Sequence, residues 1–206
     1  MKILAFDLSS ARGSIVFADR GTEMFAVDFA NDRKHSGAFF EQLKACTQEC
    51  GLPDRIAIGL GPGSYAGTRI AIAAAIGLRA ANDAELIGLA SVRAIKTDAP
   101  DYFVIGDARR TSFYFARVGA RRCVEGPLLC TADELKARLA ANDVPVFCTE
   151  PISNFGLVSV AFPSASALAQ IAANEDTHSA TAPLEPIYLR DPHITQAKPV
   201  FAAGVR

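Results

Sequence analysis

Lys2-Ile3-Leu4-Ala5-Phe6-Asp7-Leu8-Ser9-Ser10-Ala11-Arg12-Gly13-Ser14-Ile15-Val16-Phe17-Ala18 opens the chain with two apolar runs, Lys2 to Leu8 and Gly13 to Ala18, on either side of the polar segment Ser9 to Arg12. A third run, Glu23 to Phe29, follows the turn-forming Asp19-Arg20-Gly21. Connections this short favour antiparallel hairpins, so the opening reads as a β-meander. Phe39, Leu43, Cys46 and Cys50 then recur at helical spacing from His35 onward, and Gly51 with Pro53 ends that helix. Phe40 lies off the stripe. Ile56 to Leu60 reads as a strand buried on both faces, and it runs through Gly61-Pro62-Gly63-Ser64 into a second helix, Tyr65 to Ala81. Glu85 to Leu89 is a further strand, parallel to Ile56 to Leu60 across that helix.

The polar, helix-breaking Thr97-Asp98-Ala99-Pro100-Asp101 marks a boundary, and after it the pattern restarts. Tyr102 to Gly106, Ser112 to Val118 and Arg122 to Leu129 are again three strand-like runs. Thr131-Ala132-Asp133-Glu134 signals the start of a helix reaching Ala140, and a strand (Val146 to Cys148) and a small-residue helix (Ser164 to Ala173) complete the second half. Three strands, helix, strand, helix in each half is the order expected of a duplicated actin-like (ASKHA, ribonuclease H-like) two-lobed α/β fold. The expected lobes are residues 1–97 and 98–206.

The 206 residues are 50% apolar, enough for real cores, and disorder is excluded. The 21 basic and 22 acidic residues nearly cancel, so the chain has no global positive field with which to hold nucleic acid. The longest apolar stretch, Ile70 to Leu78, falls well short of the roughly 20 residues of a membrane span. Asp7 interrupts the N-terminal apolar run too early for a signal peptide, so a cytoplasmic protein without membrane contact is expected. Five cysteines without a C-x2-C pair argue against a disulfide framework or zinc clip. Cys46 and Cys50 lie one helical turn apart, where apolar packing or a shared metal are both open.

Several segments carry candidate chemistry. Asp7, Ser9 and Ser10 end the first strand, where a carboxylate could face a metal-bound phosphate and turn groups could hold its oxygens; a self-satisfied Ser turn is the alternative. Gly61, Gly63 and Ser64 lead a helix whose free N–H groups could bind an anion, or simply make a tight strand-to-helix turn. The segment is not a Walker loop, and the spacing of Gly61, Gly63 and Gly67 is not the dinucleotide fingerprint. Asp107-Ala108-Arg109-Arg110 ends the first strand of the second half. Arg109 and Arg110, with Arg117, Arg121 and Arg122, could form an RNA or anion patch, or a salt-bridged surface turn. His35, His178 and His193 are far apart, and no nucleophile with its base can be named, so no catalytic or metal-binding residue is assigned. The helix Tyr65 to Ala81 is apolar on more faces than one sheet can cover, which implies a second partner.

Asp7-Leu8-Ser9-Ser10, His35-Ser36, Gly61-Pro62-Gly63-Ser64-Tyr65-Ala66-Gly67-Thr68-Arg69-Ile70, Asp107-Ala108-Arg109-Arg110 and Pro186-Ile187-Tyr188-Leu189-Arg190 occur in one order. Together they resemble the TsaB family of bacterial tRNA threonylcarbamoyladenosine biosynthesis proteins, glycoprotease-like and M22-peptidase-like paralogues of TsaD. The resemblance covers about residues 2 to 190. It implies a non-catalytic scaffold subunit for TsaD, the enzyme that transfers a threonylcarbamoyl group to N6 of adenosine 37 in tRNAs reading ANN codons. It further implies an ATPase subunit as a third member, ATP and magnesium used by the complex and not required by this chain, indirect contact with tRNA, and a homodimer in isolation. TsaD carries an H-x3-H metal pair, and here the corresponding positions are His35 and Phe39. Pairing through the two helices of the first lobe would involve His35, Phe39, Phe40, Leu43, Arg69, Ile72 and Ile76. Tyr65, Ala66 and Thr68 depart from the family block, and Leu8 stands where threonine is usual, all of which bears on partner affinity. An ATPase or kinase of the same fold holding Mg-ATP at Asp7 and residues 61–64, or a glycoprotease-like metallopeptidase, are the alternative readings.

Overall fold

The computed structural model describes residues 1–31, 36–140, 143–153, 155–175 and 184–190. The meander forms as expected: β1 (Lys2–Asp7), β2 (Arg12–Asp19) and β3 (Thr22–Ala30) pair antiparallel. After α1 (Gly37–Cys50), β4 (Arg55–Gly59) pairs parallel to β1, and after α2 (Tyr65–Asn82), β5 (Glu85–Leu89) pairs parallel to β4. The order is therefore β3-β2-β1-β4-β5. A 3₁₀ turn, Ser91–Ala94, leads to the second sheet.

That sheet repeats the first. β6 (Asp101–Asp107), β7 (Phe113–Gly119) and β8 (Arg122–Cys130) form the meander; after α3 (Ala132–Ala140), β9 (Val146–Cys148) and β10 (Ser159–Val160) add in parallel to give β10-β9-β6-β7-β8. Identical strand order and sense in two successive units is the duplicated, two-lobed actin-like α/β fold. Thr131 and Glu134 satisfy each other's backbone N–H groups at the start of α3, the reciprocal cap their spacing predicts.

Strand alternation assigns each side chain of the first sheet to a layer. Leu4, Phe6, Ile15, Phe17, Ile56 and Ile58 face α1 and α2, and meet Phe39, Leu43 and Cys46 from one helix and Ala71 and Ala75 from the other. Ile3, Ala5, Val16, Ala57, Ile87 and Leu89 form the opposite face, covered by α4 (Ala165–Asn174) through Leu168, Ile171 and its alanines. The division at residues 97 and 98 separates the two sheets, yet α4, which comes from the second part, packs on the first.

This corrects the expected order of the second half. β10 lies between β9 and α4, and the β9–β10 connection carries no helix among its described residues, so α4 is not the counterpart of α2. A helix this apolar must be buried on a face that still lacks a cover, and the back of the first sheet is that face. Arg55, only 7% exposed, fixes it there: its guanidinium donates to the Ala172 carbonyl and pairs with Glu85, while the Ala165 N–H donates to Ser14 Oγ at 2.9 Å.

Three residues expected at a partner interface belong to the interior. Phe39 is 1% exposed, Leu43 7% and Ile72 8%. Phe39 and Leu43 define the stripe that α1 turns toward the sheet, and Ile72 sits beside the inward Ala71 and Ala75 of α2. Cys46 is buried in the same layer, and burial pushes its thiol up to about 12, which fits apolar packing. Phe40, Arg69 and Ile76 do face outward. His35, like His178, His193 and the tail from Val200, lies outside the described residues.

Candidate functional site: the interlobe cleft and the outer helix face

A cavity of about 550 Å³ lies between the lobes. Its walls come from the β1–β2 turn (Ser9, Ser10, Ala11), the glycine turn (Pro62, Gly63, Ser64), the start of α2 (Tyr65, Ala66, Thr68), the β6–β7 turn (Asp107, Ala108, Arg109) and residues 186–190. Of the residues expected to hold a phosphate, Ser9, Gly63 and Ser64 reach it, whereas Asp7 and Gly61 do not line it.

Asp7 has a different environment from the one its position suggested. It is fully buried, and its Oδ1 accepts from the Ser9 N–H at 2.7 Å and from the Ser9 hydroxyl at 2.6 Å, closing the turn on itself. Its Oδ2 has no hydrogen-bond partner. Burial raises its pKa, opposed by the Ser9 and Ser91 hydroxyls and the Ser9 backbone. The space around Oδ2 exists because residue 59 is glycine: a Cβ there would sit 1.7 Å from Oδ2 and 2.7 Å from Ser91 Oγ. Ser91 Oγ in turn accepts from the Gly61 N–H at 2.9 Å, which links the glycine turn to the 3₁₀ turn.

The glycine block is a packing device as well as a turn. Ser64 caps α2 by accepting from the Gly67 N–H at 3.2 Å, and the Ser64 N–H donates to the Ser9 carbonyl at 2.6 Å. A Cβ on Gly67 would fall 2.0 Å from the Leu8 carbonyl oxygen, and one on Gly63 would fall 2.1 Å from that of Ser9. The helix start and the β1–β2 turn therefore touch backbone to backbone.

The corresponding turn of the second lobe is open. Asp107 is half-buried; its Oδ1 accepts from the Arg109 N–H at 2.6 Å and its Oδ2 pairs with the Arg109 guanidinium at 3.1 Å. Arg109, Arg110 and Thr111 all have φ between 53° and 65°, the left-handed region. Arg109 and Arg110 are exposed, but the basic patch imagined with Arg117, Arg121 and Arg122 does not assemble. Those three lie toward the other end of β7, the β7–β8 hairpin, and Arg121 donates instead to the Ile95 and Thr97 carbonyls at 2.7 Å.

The helices of the first lobe keep an uncovered face. Ala66, Arg69, Ala73, Ile76, Gly77 and Ala80 of α2 are all exposed and recur at three- and four-residue intervals, so they lie along one side. Ile76 is 53% exposed and Phe40, on α1, 48%. Beyond Arg69, the small residues Ala73, Gly77 and Ala80 around Ile76 leave an apolar strip that another helix can approach closely. The buried Phe39 ring lies 5.4 Å from Phe6 and 6.4 Å from Phe29. Among the described residues, no three His, Cys, Asp or Glu side chains gather as metal ligands, and no helix is long and apolar enough to cross a membrane.

The family model of TsaD, tRNA N6-adenosine threonylcarbamoyltransferase, matches residues 30–135, just over half of the chain. The chain belongs to the TsaD family. Among solved structures, a Pseudomonas aeruginosa protein described as similar to the peptidase YEAZ matches with a TM-score of 0.72 at 20% identity, over 92% of this chain and 99% of that one. YeaZ from Pseudomonas aeruginosa matches with a TM-score of 0.69 at 18% identity, over 91% and 99% respectively. These likenesses establish the fold across nearly the whole length of both chains. No curated protein matches the chain. Membership ties the chain to the threonylcarbamoyladenosine modification of tRNA.

Proposed function

We propose that this chain is the non-catalytic partner subunit of a TsaD-type threonylcarbamoyltransferase, docked through the outer face of α1 and α2. The uncovered strip on α2 carries this reading. Ile76 and its small neighbours remain exposed after both faces of the first sheet have found their own helices, so no part of the fold calls for them inside. Leaving such a strip bare in water is unfavourable, and burying it against a partner's helices recovers roughly 25 cal/mol per Å² of apolar surface.

Two observations weigh against chemistry performed by this chain itself. Phe39, at the position of a metal histidine in TsaD, is packed into the core with Phe6, and a histidine placed there would have to displace that packing. Asp7 is sealed behind the β1–β2 turn and is not presented to a metal-bound phosphate in the cleft. In this reading ATP and magnesium act on the other subunits, tRNA reading ANN codons is met through the assembled complex, and in isolation two copies cover each other's strip in the cytoplasm. Size-exclusion chromatography of the chain with its cognate TsaD tests it: a stable joint peak is expected, and separate elution with a strictly monomeric chain contradicts it.

A further inference from the structure

Residues 184–190 run across both lobes. On the first lobe, Leu184 packs beside Gly88, where a Cβ would come within 2.9 Å of its Cδ2; the Ile187 N–H donates to the Leu60 carbonyl at 2.8 Å; and the Tyr188 ring stacks on Tyr65 at 5.3 Å and 30°. Tyr65 is itself held by Arg69, whose guanidinium donates to its hydroxyl at 2.5 Å and lies over its ring. On the second lobe, Leu189 packs against the core of Tyr102, Val104 and Tyr114, and the Arg190 guanidinium donates to the Arg109 carbonyl at 3.2 Å.

α4 counts with the lobe whose sheet it covers, and the lobes then meet a second time around residues 91–97, where Ile95 bridges Pro163 on the way into α4. There the Tyr102 hydroxyl lies 3.0 Å from the Val92 carbonyl and 2.9 Å from that of Arg93, and Arg121 donates to the Ile95 and Thr97 carbonyls. None of those residues lines the cavity, whereas residues 186–190 do. Two lobes joined at one buried junction and bridged again across the cleft have the construction of a hinge and a clasp.

We propose that residues 184–190 are an interlobe strap that sets the opening of the cleft, with the 91–97 junction as its hinge. Its hydrogen bonds and the Tyr188–Tyr65 stack are exposed or half-exposed and local, and only the partly buried Leu184 and Leu189 touch the cores, so the strap can let go while both sheets keep their fully buried layers. The cleft then widens while the lobes stay folded. The strap uses no residue of the outer α2 strip except Arg69, through Tyr65, so opening it alters the cleft and leaves the docking face in place.

Spin labels carried on unnatural residues at the exposed positions Glu23 and Arg122 would report the interlobe distance in the full chain, with the native cysteines left alone. The wild-type chain is expected to give one narrow distribution. The double variant Tyr188→Ala/Arg190→Ala is expected to broaden it and shift its mean by roughly 5 Å or more, with cooperative melting retained. An unchanged distribution in the folded double variant overturns the proposal. If that variant does not fold, Ile187→Pro, which deletes the Leu60 hydrogen bond and keeps Tyr188 and Arg190, is read in the same way. Failure of both to fold also overturns it, because a strap is dispensable to the two cores.

Discussion

The two lobes share one strand order and begin with the same hairpin, yet the turn after the first strand is closed in one and open in the other. In the first lobe Asp7 is sealed, tied to Ser9, with Gly59 against its Oδ2, and the Leu8-Ser9 backbone that follows it is pressed by Gly67 and Gly63. In the second lobe Asp107 faces the cleft beside Arg109, on a turn of three consecutive left-handed residues. The difference follows from what comes after the fourth strand. β4 leads through a glycine turn into an eighteen-residue helix, whereas β9 leads into a connection with no described helix, so among the described residues no helix start presses on the Asp107 turn. The duplication preserved the sheet and gave α1, α2 and α4 to the first lobe: that lobe keeps the exposed α2 strip, and the second supplies a wall of the cleft and the helix that backs its neighbour.

The largest effect should come from the core packing of the first lobe. Phe39→Ala removes a fully buried ring and should cost about 3–4 kcal/mol in denaturant unfolding, whereas Phe40→Ala next to it should cost less than about 0.5 kcal/mol. Equal costs would mean that the core and the outer face have been confused. Gly67→Ala forces a methyl toward the Leu8 carbonyl and should cost about 2–3 kcal/mol by the same measurement, since neither backbone can move far. A neutral result would break the contrast between the closed turn and the open one.

Asp7 and Asp107 give the smaller, signed test. The folded-state pKa of Asp7 lies above its unfolded value, so the folded chain holds that proton more tightly. Its contribution is therefore favourable at low pH and is lost as pH rises from the unfolded carboxylate range through the folded pKa. Asp7→Asn, which keeps the shape without the charge, should raise stability at pH 7 by about 1 kcal/mol and change little near pH 3. Asp107→Asn should change stability by less than about 0.5 kcal/mol at either pH, since a partly exposed ion pair contributes little. A loss at pH 7 that fades toward low pH in Asp7→Asn would show that the carboxylate is ionised and needed.

Most of the sheet was legible in the sequence because both devices that announce strands, alternation and turn residues, are local. The helix α2 was legible to within a residue, and its surplus of apolar faces pointed to a surface that is in fact exposed. What could not be read was tertiary. α4 carries no mark saying which sheet it covers, and β10, at two residues, is too short for any period to register. Naming Phe39 and Leu43 as interface residues conflicted with the stripe they define, since one side chain cannot serve both the core and a partner. Whether Asp7 faced the cleft depended on the approach of Gly59, Gly63 and Gly67 from elsewhere in the chain. The segment at Pro186 to Arg190 is legible only as part of an ordered set of motifs, because an irregular bridging segment has neither helical nor strand periodicity.

The most direct test of the central claim is co-elution of the chain with its cognate TsaD, wild type beside Ile76→Asp. Ile76 is exposed, so the aspartate should leave the melting transition unchanged while its buried charge weakens the complex at least about tenfold. A complex that survives Ile76→Asp undiminished, or a wild-type chain that never joins TsaD, would contradict the account.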